Sequence, residues 1–96
     1  MDNRYYIVRC DRASVFAGHI KERNGREVTL TDARRIWHWD GAASLSQLAM
    51  EGTKRPGNCS FAMPVNEVTV LDAIELIPCT EEAEKSIREV PVWKIK

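Results

Sequence analysis

The chain has 96 residues, of which 44% are hydrophobic and 29% are charged, and its 14 basic residues balance 14 acidic ones. This length predicts one domain that spans residues 1–96, and the ordinary apolar fraction excludes an intrinsically disordered chain. The zero net charge disfavours a protein that binds nucleic acid through a broad basic surface, because such proteins carry excess positive charge.

The cysteines and the N-terminal residues indicate the cellular compartment. Cys10, Cys59 and Cys79 are odd in number and far apart, which is typical of free thiols in a reducing compartment. Neither His19 nor His38 stands at metal-ligand spacing from a cysteine, so we expect no metal site and no cofactor. No signal peptide is recognisable, and no stretch approaches the roughly 20 apolar residues of a membrane span. We therefore expect a cytoplasmic protein without membrane contact.

The first half of the chain has the pattern of three strands. Three segments are rich in β-forming residues: Tyr5 to Cys10, Val15 to Glu22 and Arg26 to Leu30. Between the last two, Asn24-Gly25 is typical of a type I′ hairpin turn, because both residues tolerate positive φ. We expect the second hairpin arm to continue from Ala33 to Trp39, with a bulge or a break at Asp32.

A short helix is predicted after these strands. Ser44 and Gln47 have the spacing of a capping box, in which the serine caps the helix and the glutamine reaches back to it. One apolar face follows, formed by Leu45, Leu48 and Ala49. Gly52 suits the left-handed position at the end of a helix, and residues 53–58 have the composition of a loop.

The second half predicts two further strands, a helix and a terminal strand. The two strands are Cys59 to Val65 and Val68 to Cys79, with a turn around Asn66-Glu67 and a break near Asp72 in the second strand. Thr80 caps a helix from Glu81 to Val90, and Val92 to Ile95 alternates like an edge strand. The order β-β-β-α-β-β-α-β predicts an α+β fold: a single small domain with a mostly antiparallel sheet and two short helices.

Aromatic and basic residues are concentrated between Ala33 and Gly41, where we predict a ligand-binding site. In a strand, Arg35, Trp37 and Trp39 would project from one face. A guanidinium beside flat aromatic rings can stack on a base and hold a phosphate or a carboxylate. The alternative interpretation is that both tryptophans cover the following helix, with the arginine at the rim.

Two nearby segments complete the predicted site. The small residues from Gly41 onward could present backbone N–H groups to an anion at a helix N-terminus. Lys54, Arg55 and Asn58 form a polar loop that could close over an anionic ligand. For both segments the alternative is an ordinary solvent-exposed turn. The glycine-rich motifs of a dinucleotide fold or a P-loop are absent from the sequence.

The sequence does not favour an enzyme. A Ser-His-Asp triad could be drawn from Ser44, His38 and Asp40, but Ser44 is better explained as a helix cap and the nucleophile-elbow motif is missing. The carboxylates of the second predicted helix have the distribution of a solvated face. We therefore expect no enzymatic activity and no catalytic residues.

Two stretches resemble an uncharacterised family of small proteins from tailed phages and prophages. They are ARRIWHWDGAASLSQLAMEG, at Ala33 to Gly52, and AIELIPCTEEAEKSI, at Ala73 to Ile87. The resemblance extends from about Tyr5 to Ile95. It implies a phage or prophage origin and an accessory role in the cytoplasm of the infected host, but it brings no activity and no functional residues.

Two functional hypotheses follow, both for a non-enzymatic binding protein. In the first, the protein is a counter-defence sponge that sequesters a nucleotide immune signal, of the cyclic ADP-ribose type or a cyclic dinucleotide. In the second, it inhibits a host defence or metabolic protein through an exposed Trp/Arg patch. Zero net charge leaves self-association unopposed, so we also expect a homo-oligomer, with nucleic acid as a disfavoured partner.

Overall fold

Six strands and two helices form the part of the chain that the computed structural model describes, residues 3–95. The strands are β1 (Tyr5–Cys10), β2 (Val15–Asn24), β3 (Glu27–His38), β4 (Ser60–Phe61), β5 (Val65–Val70) and β6 (Ala73–Pro78), and the helices are α1 (Leu45–Glu51) and α2 (Glu81–Glu89). The pairings are antiparallel in the order β4-β3-β2-β1-β6, and β5 pairs with β3. The predicted α+β class, an antiparallel sheet with two short helices, is confirmed.

The β2–β3 hairpin is the longest pairing of the sheet. Asn24 pairs with Glu27, so the turn contains only Gly25 and Arg26. Gly25 has φ 64°, whereas Arg26 is not among the residues with positive φ, and this combination fits a type II′ turn. The predicted hairpin is therefore confirmed, but its turn lies one residue later than expected. The reason is that a type II′ turn needs positive φ at one position only, which the glycine supplies without steric cost.

Asp32 forms a bulge in β3, as the sequence indicated. The register shifts between Ala17 and His19 of β2, because β3 carries one extra residue there. Asp32 has φ 50°, a left-handed conformation that aspartate tolerates better than most residues. The extra residue reverses the alternation of the strand, so Leu30 and Ala33 lie in the same apolar cluster although they are three positions apart.

Two apolar clusters lie on opposite faces of the sheet. The helix-side cluster joins α1 and α2 to the sheet, and its buried members are Tyr5, Ile7, Ala17, Ile36, Leu48, Ala49, Phe61, Ile87 and Val90. The strand-side cluster contains residues of the strands alone: Val8, Cys10, Phe16, Ile20, Val28, Leu30, Ala33, Val70 and Ala73. Because no helix contributes to the second cluster, the sheet must curl over its own face to bury it.

Both helices begin at the predicted caps. The N–H of Gln47 donates to the Ser44 hydroxyl at 3.2 Å, and the N–H of Ala43 donates to the Gln47 side chain at 2.7 Å. In α2, the N–H of Ala83 donates to the Thr80 hydroxyl at 3.0 Å. These bonds satisfy backbone donors that have no partner within a helix.

The second half differs from the prediction between residues 59 and 70. The first predicted strand there is reduced to the two residues of β4. Asn66 and Glu67 do not form a turn but lie within β5, because residues 65–70 pair with the N-terminal half of β3. The predicted break near Asp72 is confirmed, since β5 ends at Val70 and β6 begins at Ala73.

The predicted terminal strand from Val92 to Ile95 is not formed. Val92 makes a single parallel bridge to Phe61, and the N–H of Trp93 donates to the carbonyl of Phe61 at 2.9 Å. With only two residues in β4, this edge offers no ladder that a longer strand could join. The observed order is therefore β-β-β-α-β-β-β-α.

Candidate functional site

The predicted site residues divide between two sides of β3. Arg35 and Trp37 project to the strand side, where they line a groove. Trp39 packs against the helix-side cluster instead. The predicted shared face therefore holds for the first two residues and is wrong for Trp39, because β3 ends at His38 and the alternation of the strand ends with it.

Arg35 and Trp37 form one wall of a groove of about 200 Å³. Its other lining residues are Phe16, Ala33, Ala62, Met63, Val65 and Val68. The guanidinium carbon of Arg35 lies 4.8 Å from the ring centre of Phe16 and 5.3 Å from that of Trp37. Trp37 is 54% exposed, so one aromatic ring of this stack is open to a partner molecule. We call this feature the Arg35 groove.

The guanidinium of Arg35 has an unused hydrogen-bond donor. Its Nε is buried and has no hydrogen-bond partner among residues 3–95. A buried unpaired donor costs about 1–3 kcal/mol, whereas each cation–π contact returns about 0.5–2 kcal/mol. The two rings hold the cation in place, and its positive charge can attract a carboxylate or a phosphate, although the buried Nε is itself closed to an incoming group.

The remaining predicted residues surround Asp40 at the end of β3. Its carboxylate accepts the N–H of Gly41 at 2.7 Å and the amide of Asn58 at 3.3 Å, and the Arg55 guanidinium lies 3.7 Å away. These three neighbours, the Gly41 N–H foremost, lower the pKa of the Asp40 carboxyl. Lys54 is exposed and meets Gly41 through its backbone, with an N–H to carbonyl distance of 3.2 Å. The Asp40 carboxylate therefore binds donor groups of Gly41, Asn58 and Arg55 that were predicted from the sequence to bind an anionic ligand.

Gly41 allows two loops to touch. It has φ 82°, and a Cβ at this position would lie 2.5 Å from the backbone nitrogen of Arg55 and 2.6 Å from the Thr53 hydroxyl. The N–H of Ala43, in the same turn, already donates to Gln47. The predicted anion-binding turn is thus filled by the protein's own chain, which favours a structural role for the glycine.

Arg34 is a buried charged residue that the sequence analysis did not single out. It is 2% exposed, and its Nη1 donates to the carbonyls of Ile87 at 3.0 Å and Val90 at 2.9 Å. Its Nε and Nη2 donate to the carbonyls of Ala62 and Phe61, and burial lowers its pKa. The α2 carbonyls suit a cation because a helix C-terminus carries partial negative charge. The sequence did carry a signal for the burial of Arg34. It lies two positions before the core residue Ile36 and therefore on the same face of the strand.

A polar cluster around Arg88 joins α2 to the bulge in β3. The guanidinium contacts the carboxylates of Asp32 and Glu84, and its Nη2 lies 2.8 Å from Nε2 of His19. Nδ1 of His19 lies 3.1 Å from the carbonyl oxygen of Asn3. A neutral histidine with its proton on Nδ1 satisfies both contacts. Each of these groups is engaged within the fold, so the cluster has the features of a structural tie.

Burial also sets the chemistry of two thiols. It raises the pKa of Cys10 to about 11, with a further contribution from the carboxylate of Asp72. It raises the pKa of Cys79 to about 12, with a further contribution from Glu84. Both thiols are protonated at neutral pH and are weak nucleophiles. Between residues 3 and 95, no three His, Cys, Asp or Glu side chains gather closely enough to hold a metal ion.

Comparison with protein-family models matches residues 3–87 to a domain of unknown function, DUF6948. The chain belongs to this family. The DUF6948 match includes all six strands, the Arg35 groove and the loops around Asp40. No curated protein and no solved structure matches the chain. None of the helices within residues 3–95 is long and apolar enough to cross a membrane.

Proposed function

We propose that this DUF6948 protein is a non-enzymatic binding protein and that the Arg35 groove receives its partner. The supporting observation is the half-exposed ring of Trp37, which lies beside the guanidinium of Arg35. Tryptophan and arginine are enriched among the residues that dominate binding energy at protein interfaces. The half-exposed Met63 adds an adaptable apolar contact at the same groove.

The dimensions of the groove favour a protein partner over a nucleotide. A volume of about 200 Å³ lies below the roughly 300–1,000 Å³ of small-molecule sites, and it suits one or two side chains of a partner. The donors of Asn58 and Arg55, which the sequence prediction assigned to an anionic ligand, are engaged by Asp40. We therefore favour the inhibitor of a host defence or metabolic protein.

The nucleotide sponge is the second candidate. Trp37 could stack on one base, and Arg35 could hold one phosphate. A cyclic dinucleotide or a cyclic ADP-ribose-type signal would extend beyond the groove, so a sponge requires a second copy of the chain to complete the site. In both versions, the protein is a phage or prophage accessory protein of the host cytoplasm. This context rests on the resemblance of the sequence alone, because the matched family has no assigned function.

Trp37→Ala tests the groove directly. We expect partner affinity to fall by about 10- to 100-fold, because a truncated interface hot spot costs about 2 kcal/mol or more. The melting temperature should stay within a few degrees of the wild type, because the side chain is half-exposed. Leu71→Ala is the control, since Leu71 is 71% exposed and does not line the groove.

The measurement begins with native mass spectrometry of the wild type and both variants, purified from bacteria that carry active defence systems. A co-purified protein supports the inhibitor, and a retained nucleotide supports the sponge. Calorimetry with the identified partner then gives the affinities. A partner that binds Trp37→Ala as tightly as the wild type would place the site elsewhere.

A further inference from the structure

A second cleft lies between the β2–β3 turn and β6, away from the Arg35 groove. Its volume is about 650 Å³. The residues that matter for its chemistry are Arg23, Arg26, Val28, Ile74, Glu75 and Leu76. The cleft therefore combines apolar side chains with two guanidinium groups, and one of its walls is a strand.

That strand, β6, has an edge that is free beyond Ala73, whose N–H donates to the carbonyl of Arg26 at 3.0 Å. It pairs with β1 on one side, and no other strand within residues 3–95 pairs with it. The N–H of Cys79 donates to the carbonyl of Tyr5 at 2.8 Å, which fixes the alternation of hydrogen-bonded pairs along the ladder. By that alternation, Leu76 and its partner Val8 form a non-hydrogen-bonded pair. The N–H and C=O of Leu76 consequently point away from β1, towards the cleft.

Pro78 supports this assignment of the ladder. It pairs with Tyr6, two positions from Leu76, and thus occupies an equivalent non-hydrogen-bonded position. Proline lacks an N–H, so it fits a strand only where that group would face away from the neighbouring strand. The same reasoning implies that a proline at position 76 would leave the β1 ladder intact.

The cleft carries uncompensated positive charge, although the chain as a whole is neutral. The Glu75 carboxylate is bound by Arg9 at 2.9 Å. Nε of Arg23 donates to the Gly25 carbonyl at 3.0 Å, and no carboxylate within residues 3–95 forms an ion pair with this guanidinium. No residue between 3 and 95 gives the Arg26 guanidinium a hydrogen bond or an ion pair.

We propose that the free edge of β6 binds an extended acidic segment of a partner protein as an added strand. The backbone of the segment would pair with the N–H and C=O of Leu76. Its carboxylates would meet Arg23 and Arg26, and its apolar side chains would contact the exposed side chain of Ile74. This surface is separate from the Arg35 groove and goes beyond the function proposed above.

The probe is a short fluorescent peptide that alternates glutamate and valine, measured by anisotropy at low salt. We expect saturable binding that weakens as salt is added. A peptide that alternates lysine and valine should not bind. A glutamate–valine peptide with N-methyl groups on alternate residues keeps its charge but loses its pairing edge, so its affinity should fall at least about tenfold.

Three protein variants locate the binding. The double variant Arg23→Glu, Arg26→Glu should lose at least about tenfold in peptide affinity by charge reversal. Leu76→Pro should lose a similar factor, with its folding checked by a melting curve. Trp37→Ala should bind the peptide as the wild type does, which separates this inference from the proposed function.

Equal affinity for the methylated and unmethylated peptides would overturn the proposal. This comparison uses the wild-type protein, so it tests the proposal even if Leu76→Pro does not fold. Loss of peptide binding in Trp37→Ala would also overturn it. An edge of β6 that pairs with a second copy of the chain instead would appear as a dimer that excludes the peptide. That outcome would contradict the proposal too.

Discussion

Arg34 holds a positive charge inside the protein, and none of its hydrogen bonds within residues 3–95 goes to a carboxylate. Five backbone carbonyls share the guanidinium, and three of them, at Ile87, Arg88 and Val90, belong to the end of α2. We predict that Arg34→Met, which retains much of the side-chain volume, lowers the free energy of unfolding by about 3–5 kcal/mol. The loss arises because the buried carbonyls are left without donors.

The neighbouring arginine is the matched control for that prediction. Arg35 has ring contacts but no backbone carbonyl partner, so Arg35→Met should cost only about 1 kcal/mol. Urea unfolding of both variants, followed by circular dichroism, measures the difference. Equal losses would show that the carbonyl network does not stabilise the fold as we infer.

At the scale of the element, the bulge at Asp32 decides which side chains of β3 face the Arg35 groove. We predict that the free energy of unfolding of Asp32→Gly exceeds that of Asp32→Val by about 1–3 kcal/mol. Valine is strained at φ 50°, whereas glycine adopts this conformation freely. Both variants lose the ion pair with Arg88, so the difference between them isolates the backbone. Thermal melting of the pair is the measurement, and equal stability would contradict a left-handed residue at this bulge.

The elements that the sequence predicted well are those with local signals. The hairpin, the bulge and the caps at Ser44 and Thr80 depend on residues that are close together in the chain. β5 was not predicted correctly, because Asn66 and Glu67 have turn-forming composition while their structure is determined by pairing with β3. Glu67 also forms an ion pair with Lys21 of β2 at 2.9 Å, a contact that no local pattern reveals.

The candidate site shows the same limit. Strand alternation correctly placed Arg35 and Trp37 on one face, because both lie within β3. It failed at Trp39, one residue past the strand end. The loop residues Arg55 and Asn58 do lie together, but Asp40 brings them together by pairing with them. The sequence shows which residues carry hydrogen-bond donors, but it does not show which of these donors another side chain already binds.

At the scale of the whole molecule, we predict self-association at micromolar concentration. The chain segment after α2 leaves Trp93 58% and Ile95 99% exposed beside the short edge strand β4, and zero net charge does not oppose contact between copies. Gel filtration with light scattering measures the mass. A mass near 10.9 kDa for the wild type would contradict the prediction.

Charge insertion locates the contact. Trp93→Glu should return the mass to that of a monomer, because a carboxylate cannot be buried in an apolar interface without a partner. Leu71→Glu is the control, since Leu71 is also exposed but lies at the β5–β6 connection. An unchanged mass in the Trp93 variant, with a monomer in the Leu71 variant, would place the interface at the β5–β6 connection instead.

The position of β1 in the sheet has a consequence for synthesis on the ribosome. β1 lies between β2, which follows it directly, and β6, whose Pro78 pairs with Tyr6. Pairing between such distant parts of a chain closes a long loop and forms late in folding. Until Pro78 has left the ribosome, the nascent chain therefore carries β1 with one edge open. A pause in translation before that codon would prolong the exposure of this edge to other nascent chains and chaperones, so the first strand completes its pairing only when the last strand is made.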